Sequence, residues 1–283
     1  MISRTGKQVA KMVSGGLLGI LAVAPAYAQL TSAQGLIANP FVFSASGFIV
    51  SNDVKASLNG SSSTNPDVDF NDTFGTGSNA TRFRLDGLWR ITPRHHIRAM
   101  YFENSVTRTR TLNRDVMWDD ITYNLGATVE AQTKVKVYEL AYEYAFVHEP
   151  TWELAGSLGV HYTDMSLRLS GVGSINGVPG SAVQNKDSNL PAPLPVIGFR
   201  AGYAFAPDWY LDGLVQAFKI KINEYDGRWI DGRAGVTWMF TRNFGVGLAY
   251  NRFTTKVNVD KSNFNGDLKF GYSGLLLSLT GTF

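Results

Sequence analysis

From Thr81 to Ile91 the chain alternates strictly. Phe83, Leu85, Gly87, Trp89 and Ile91 share one face; Arg82, Arg84, Asp86, Leu88 and Arg90 share the other. Period two is the signature of a β-strand with different surroundings on its two faces. The pattern recurs along the chain and predicts ten strands: about Val42–Leu58, Thr81–Ile91, His96–Arg110, Ala127–Val147, Trp152–Leu169, Val196–Phe205, Trp209–Ile222, Arg228–Phe240, Phe244–Val259 and Asp267–Phe283. Shifts of a few residues at the boundaries leave eight or twelve strands compatible with the same pattern. The connections after the even strands hold only three or four residues. Three of those after odd strands are long, about Asn59–Ala80, Thr111–Gly126 and Ser170–Pro195, and rich in Gly, Ser, Asn, Asp and Pro. A soluble sandwich has no reason to keep one end uniformly tight, whereas a membrane barrel has short turns on one side and long loops on the other.

The two ends of the chain bear on the compartment. Arg4, Lys7 and Lys11 precede an apolar run from Met12 to about Pro25, and Ala26-Tyr27-Ala28 stands before Gln29. This order matches a secretory leader with a small-x-small cleavage site, expected to cover residues 1–28. The run is too short and glycine-rich for a spanning helix, which takes about 20 apolar residues. Removing the leader takes three of the 26 basic residues and leaves 23, equal to the 23 acidic ones. The formal charge of +3 thus belongs to the leader, and a nucleic-acid partner is not expected. With no cysteine, disulfides and thiolate metal sites are excluded.

The last strand reads Leu275, Leu277, Leu279, Gly281 and Phe283 on one face against Leu276, Ser278, Thr280 and Thr282. A closing strand with an aromatic carboxy terminus resembles bacterial outer-membrane β-barrel proteins, the porin-like and OmpA-like transmembrane group. The stretch Asn243-Phe244-Gly245-Val246-Gly247-Leu248-Ala249-Tyr250, followed by a loop and that strand, is similar to the usual ending of this group. The resemblance implies an all-β fold: a single antiparallel up-and-down transmembrane barrel over residues 41–283, exported to the outer membrane of a Gram-negative envelope. It also implies that Phe283 belongs to the assembly signal read by the barrel assembly machinery. Outer-membrane lipid and lipopolysaccharide are the expected surroundings. Residues 29–40 form an N-terminal periplasmic segment, either a tail or a lumen plug. Trp89, Tyr144, Phe146, Trp152, Phe205, Trp209, Trp238, Phe240, Phe244 and Phe283 gather beside the short turns, where an aromatic girdle belongs.

The faces opposite the apolar ones carry Arg82, Arg84, Asp86, Arg90, Arg98, Glu139, Glu143, Glu153, His161, Arg200, Asp212, Asp231 and Arg233. Charges in a membrane domain must pair or meet water. The same residues can therefore interlock into a plug or line a narrow polar pore. Arginines on the second and third strands border glutamates on the fourth and fifth, which predicts cross-strand pairs. Rim catalysis of the omptin kind needs histidine and carboxylates at the external end. Here His95, His96 and His148 fall at the short turns, leaving His161 inside. No catalytic residues, cofactor or metal are expected, and the expected protein is non-enzymatic: a structural barrel or passive pore for small hydrophilic solutes. The alternative is a surface binding module, an adhesin or receptor acting through its external loops, and a third, ranked below both, is a rim hydrolase that would depend on His161. The residues leave the oligomeric state undetermined.

Overall fold

The computed structural model of the protein describes residues 30–58, 68–69, 72–73, 80–118, 121–175, 178–222, 225–261 and 264–283. The expected leader, residues 1–28, and most of Asn59–Ala80 lie outside the described residues.

A short helix α1 (Ser32–Ala38) precedes the strands. The strands are β1 (Phe41–Leu58), β2 (Val68–Asp69), β3 (Ala80–Arg90), β4 (His95–Thr111), β5 (Val116–Trp118), β6 (Ile121–Tyr123), β7 (Thr128–His148), β8 (Trp152–Ile175), β9 (Val178–Ala206), β10 (Trp209–Ile222), β11 (Tyr225–Met239), β12 (Phe244–Lys261) and β13 (Phe264–Thr282). Ten of them, all but β2, β5 and β6, form the barrel. Each pairs antiparallel with its neighbour in the chain, and β1 pairs with β13 from Val42↔Thr282 to Leu58↔Gly266. That seam leaves no edge strand, so the barrel wall satisfies its own backbone groups in lipid. These ten are the ten strands expected from the alternation.

One expected loop is not a loop. Ser170–Pro195 mostly continues the β8–β9 ladder, with Ser170↔Asn185 and Ile175↔Val178 still in antiparallel register. Its Gly, Ser, Asn and Pro content reads as a connection, yet the ladder already running up β8 templates further pairing. The β9–β10 ladder stops at Ile197↔Ala217. Pro191, Pro193 and Pro195 therefore fall where β8 is the one paired neighbour of β9 among the described residues, an edge position that tolerates a missing donor. Within Thr111–Gly126, β5 and β6 make a small hairpin that pairs with β8 through Ile121↔Ile175.

Inside and outside exchange character along the strands. Near the short turns the outer face is apolar and exposed (Trp89, Phe146, Leu248, Leu277), and the inner face is charged. Farther out the order reverses. Val129, Ala131, Val135 and Val137 point inward and are fully buried, as are Phe48 and Phe102. The intervening outward positions of β7 are Glu130, Gln132, Lys134 and Lys136. Apolar-out is the pattern of a wall in lipid, and apolar-in that of a barrel in water. The reversal marks where the strands leave the membrane. Tyr101, Tyr138 and Tyr162, in direct register across β4, β7 and β8, form an aromatic row near that level.

Aromatics also ring the other end. Trp89 stacks on Phe41, Trp209 on Trp238, and Phe283 meets Phe244 edge-on with centroids 5.7 Å apart. These rings stay substantially exposed, as a lipid-facing girdle requires.

Candidate functional site: the barrel lumen

Strand parity delivers the inward charges to one another. Arg98 on β4 lies beside β7, where Glu139 and Glu143 are four residues apart on the same face. Arg98 Nε donates to Glu143 Oε1 at 2.6 Å, and Arg98 Nη1 lies 2.7 Å from Glu139 Oε1. From the far side of β8, Arg200 Nε donates to Glu143 Oε2 at 2.7 Å and Arg200 Nη2 to Glu153 Oε1 at 2.6 Å. Glu143 is thus clamped between two guanidinium groups and is wholly buried. Arg90 reaches Glu153 at 3.5 Å. Gln216 Nε2 donates to Glu139 Oε1 at 2.6 Å.

A second cluster occupies the opposite wall. Arg84 grips Asp86 through Nε and Nη2, both at 2.9 Å, and its Nη1 donates to Asn251 Oδ1 at 3.0 Å. Asn251 passes the connection to Asp231 at 2.6 Å. Arg233 bridges Asp86 at 3.3 Å and Asp212 at 3.1 Å. A buried charge is tolerated when it is paired, and each arginine of these two clusters faces a carboxylate, while Arg90 Nε, Arg98 Nη2 and Arg233 Nε are buried without a hydrogen-bond partner. Arg82 stands apart from them. It donates to Asn104 Oδ1 at 2.9 Å and to the Ser105 carbonyl.

Below this band α1 closes the short-turn end. Thr31 and Gln34 form a capping box, which holds a helix too short to persist alone. Ala33, Leu36 and Ile37 are buried against Tyr210, Ala204 and Met239. Arg90 donates to the carbonyls of Leu36 (2.7 Å) and Asn39 (2.9 Å), and Thr282 Oγ1 to that of Gly35 (3.1 Å). The lumen arginine thereby takes up the unsatisfied carbonyls of the helix end.

Above the band lies a layer of rings. Phe102, Phe48, Tyr272, Phe253, Trp229 and His161 contact one another in sequence, with centroids between 4.7 and 5.8 Å apart. They reach from β4 by way of β1, β13, β12 and β11 to β8, across the barrel. Leu112, Val116 and Tyr123, in and beside the β5–β6 hairpin, are buried on the external side of the same core.

All thirteen lumen positions expected from the sequence lie on the inner face. The structure brings eleven of them into the two charge clusters; Arg82 stands apart, and His161 joins the rings instead. His161 is fully buried, stacks on Phe253 and lies 3.0 Å from Thr163 Oγ1. It is beneath the surface, not on an external rim. The expectation that His161 is the one histidine inside is corrected: two of the histidines expected at the short turns reach a lumen carboxylate. His96 is fully buried at 3.8 Å from Glu153, and His148 lies 2.8 Å from the same carboxylate. The signal for His96 was available: it shares its face with Arg98, two residues on. Gln216 and Asn251, which also join the clusters, carry no charge to mark them in the sequence.

The expected 29–40 segment contains α1, seated in the barrel end. Between α1 and the charge band a small cavity of about 100 Å3 remains, lined by Asp86, Arg98, Asp212, Arg233 and Tyr210 among others. Among the described residues there is no group of three or more His, Asp or Glu side chains arranged to hold a metal ion.

No protein-family profile matches the chain, and no curated protein does. Among solved structures, the chain is similar to the outer membrane protease OmpT of Escherichia coli, with TM-score 0.52 and 13% identity over 86% of this chain and 96% of that one. The toluene transporter TodX of Pseudomonas putida gives TM-score 0.38 at 7% identity, over 90% and 93%. The translocator domain of the autotransporter NalP of Neisseria meningitidis gives 0.39 at 9%, over 82% and 88%. At such identity the likeness to OmpT is one of fold: the chain is a closed ten-strand barrel of the outer-membrane type. That likeness corrects one expectation. A non-enzyme is expected from the sequence, but the fold also carries a protease, so barrel architecture gives no ground for excluding catalysis.

Proposed function

We propose that the protein is an exported outer-membrane barrel with a sealed interior that acts at its external end, as a surface-displayed binding module. On this reading residues 1–28 are a leader removed on export. Phe283, whose backbone exchanges hydrogen bonds with Phe41 at 2.9 and 3.0 Å, is the assembly signal that closes the seam. One observation carries the proposal: the lumen is filled at three successive levels, by α1, by the two charge clusters and by the ring layer. The strands then continue beyond lipid with an apolar inside and a polar outside, the build of a rigid stalk.

A narrow passive pore is the second reading, favoured by the mixed-sign inner band. Single-channel recording on the refolded protein in a planar bilayer separates the two. A folded, heat-modifiable barrel that stays silent supports the surface module. Stable openings in most insertions would transfer the function to the lumen, with Arg98, Glu139 and Glu143 as selectivity residues.

A further inference from the structure

The outer wall above the lipid carries a row of cations. Lys219 on β10 lies directly opposite Arg228 on β11, Arg228 opposite Lys256 on β12, Lys256 opposite Lys269 on β13, and Lys269 opposite Lys55 on β1. Five neighbouring strands thus present a basic residue at one register level. All five positions have outward parity: the adjacent Trp229, Thr255 and Phe270 are buried inside. Directly opposed like charges destabilise a sheet, and here four such pairs follow in succession. The next level outward does not share the bias, running Lys221, Asp226, Asn258, Asp267, Ser57. A uniformly cationic level is therefore a local feature of this wall.

Arg228 comes two residues after the exposed lipid-level Ile230, counting outward, and Arg252 two residues after Tyr250. On these two strands the basic residues begin where the exposed apolar positions of the lipid-facing wall end. A groove of about 900 Å3 is lined by Lys55, Arg228, Arg252, Lys256 and Lys269, with Thr254 between them. Asp53 also lines the groove, and Asp69 pairs with Lys55 at 2.9 Å, so the basic side chains still outnumber the acidic ones.

We infer that this groove is a binding site for a phosphorylated lipid headgroup of the external leaflet. Phosphate oxygens accept from ammonium and guanidinium donors together and relieve the repulsion along the row. Basic clusters at a membrane surface attract anionic lipid in this way. The site does not depend on whether the lumen conducts, so its test is separate from the bilayer recording.

The test titrates the refolded full barrel in neutral detergent with labelled lipopolysaccharide, with the same lipid stripped of phosphate, and with heparin as a soluble polyanion. The triple variant Arg228→Gln, Lys256→Gln, Lys269→Gln is compared with Lys134→Gln, Lys136→Gln on the β7 wall. Heat-modifiability shows that each has folded. The expected result is tight binding of the phosphorylated lipid alone, weakened about tenfold or more in the triple variant and unchanged in the β7 variant. Equal binding of the stripped lipid, a preference for heparin, or a triple variant that binds like the unaltered protein would each overturn the assignment.

Discussion

Glu143 is the residue on which the interior most depends. Both carboxylate oxygens are engaged, one by Arg98 and one by Arg200. Replacing it with alanine leaves two buried guanidinium groups short of a counter-charge. Breaking a buried pair from one side costs about 3–5 kcal/mol. Glu143→Ala should lower the urea midpoint of the detergent-folded barrel accordingly, and Glu143→Gln by less, because the amide keeps one acceptor. A change in midpoint no larger than that of an exposed control such as Glu130→Ala would show that the clusters merely fill space. The inner charges themselves were legible from alternation alone, since a two-residue period assigns every side chain to a face. What alternation does not contain is distance across the lumen. It could place Arg98 beside Glu139 and Glu143, which are on adjoining strands. It could not place Arg90 near Glu153 or Arg233 near Asp86, because those contacts depend on barrel curvature and closure.

At the scale of elements, α1 and the strand wall are fitted to each other. Tyr210 turns inward beneath the helix, and Gly202 on the neighbouring strand β9 leaves room for its ring: a Cβ at Gly202 would overlap the Tyr210 hydroxyl. Gly202→Val should therefore displace Tyr210 and loosen the seat of Leu36 and Ile37. Overpacking of this kind costs about 1–3 kcal/mol. The cost should appear as a lowered denaturation midpoint together with faster proteolysis near α1, while Gly156→Val, at a site with open space around it, should change neither. The helix had a faint sequence signal, the Thr31–Gln34 box, but seven residues carry too little periodicity to separate a plug from a tail. The β8–β9 extension was hidden for a different reason. Its residues are poor strand formers one by one, and a ladder already formed below them outweighs that local preference.

For the whole molecule, sequence and structure agree on what lipid dictates and part where lipid ends. The outward apolar faces, the girdle, the ten strands and the short turns all follow from one solvent boundary, and they could be read directly. The reversal to an apolar interior beyond the membrane was written in the same strands, for example in Val129, Val135 and Val137. The three seals along the axis act in series, so passage is set by the tightest layer and not by their sum. Deleting residues 30–38 should on its own leave the barrel electrically silent, because the charge clusters and the rings remain. Trimming the rings alone, by Phe48→Ala, Phe253→Ala and Trp229→Ala, should do the same. Stable conductance should emerge only when the helix deletion and the ring substitutions are combined with Arg98→Ala, Glu139→Ala and Glu143→Ala, provided the combined variant still shows a heat-modifiable band. If removal of α1 alone produced stable openings, the charge clusters would be the lining of a water-filled path, and the plug would be its gate.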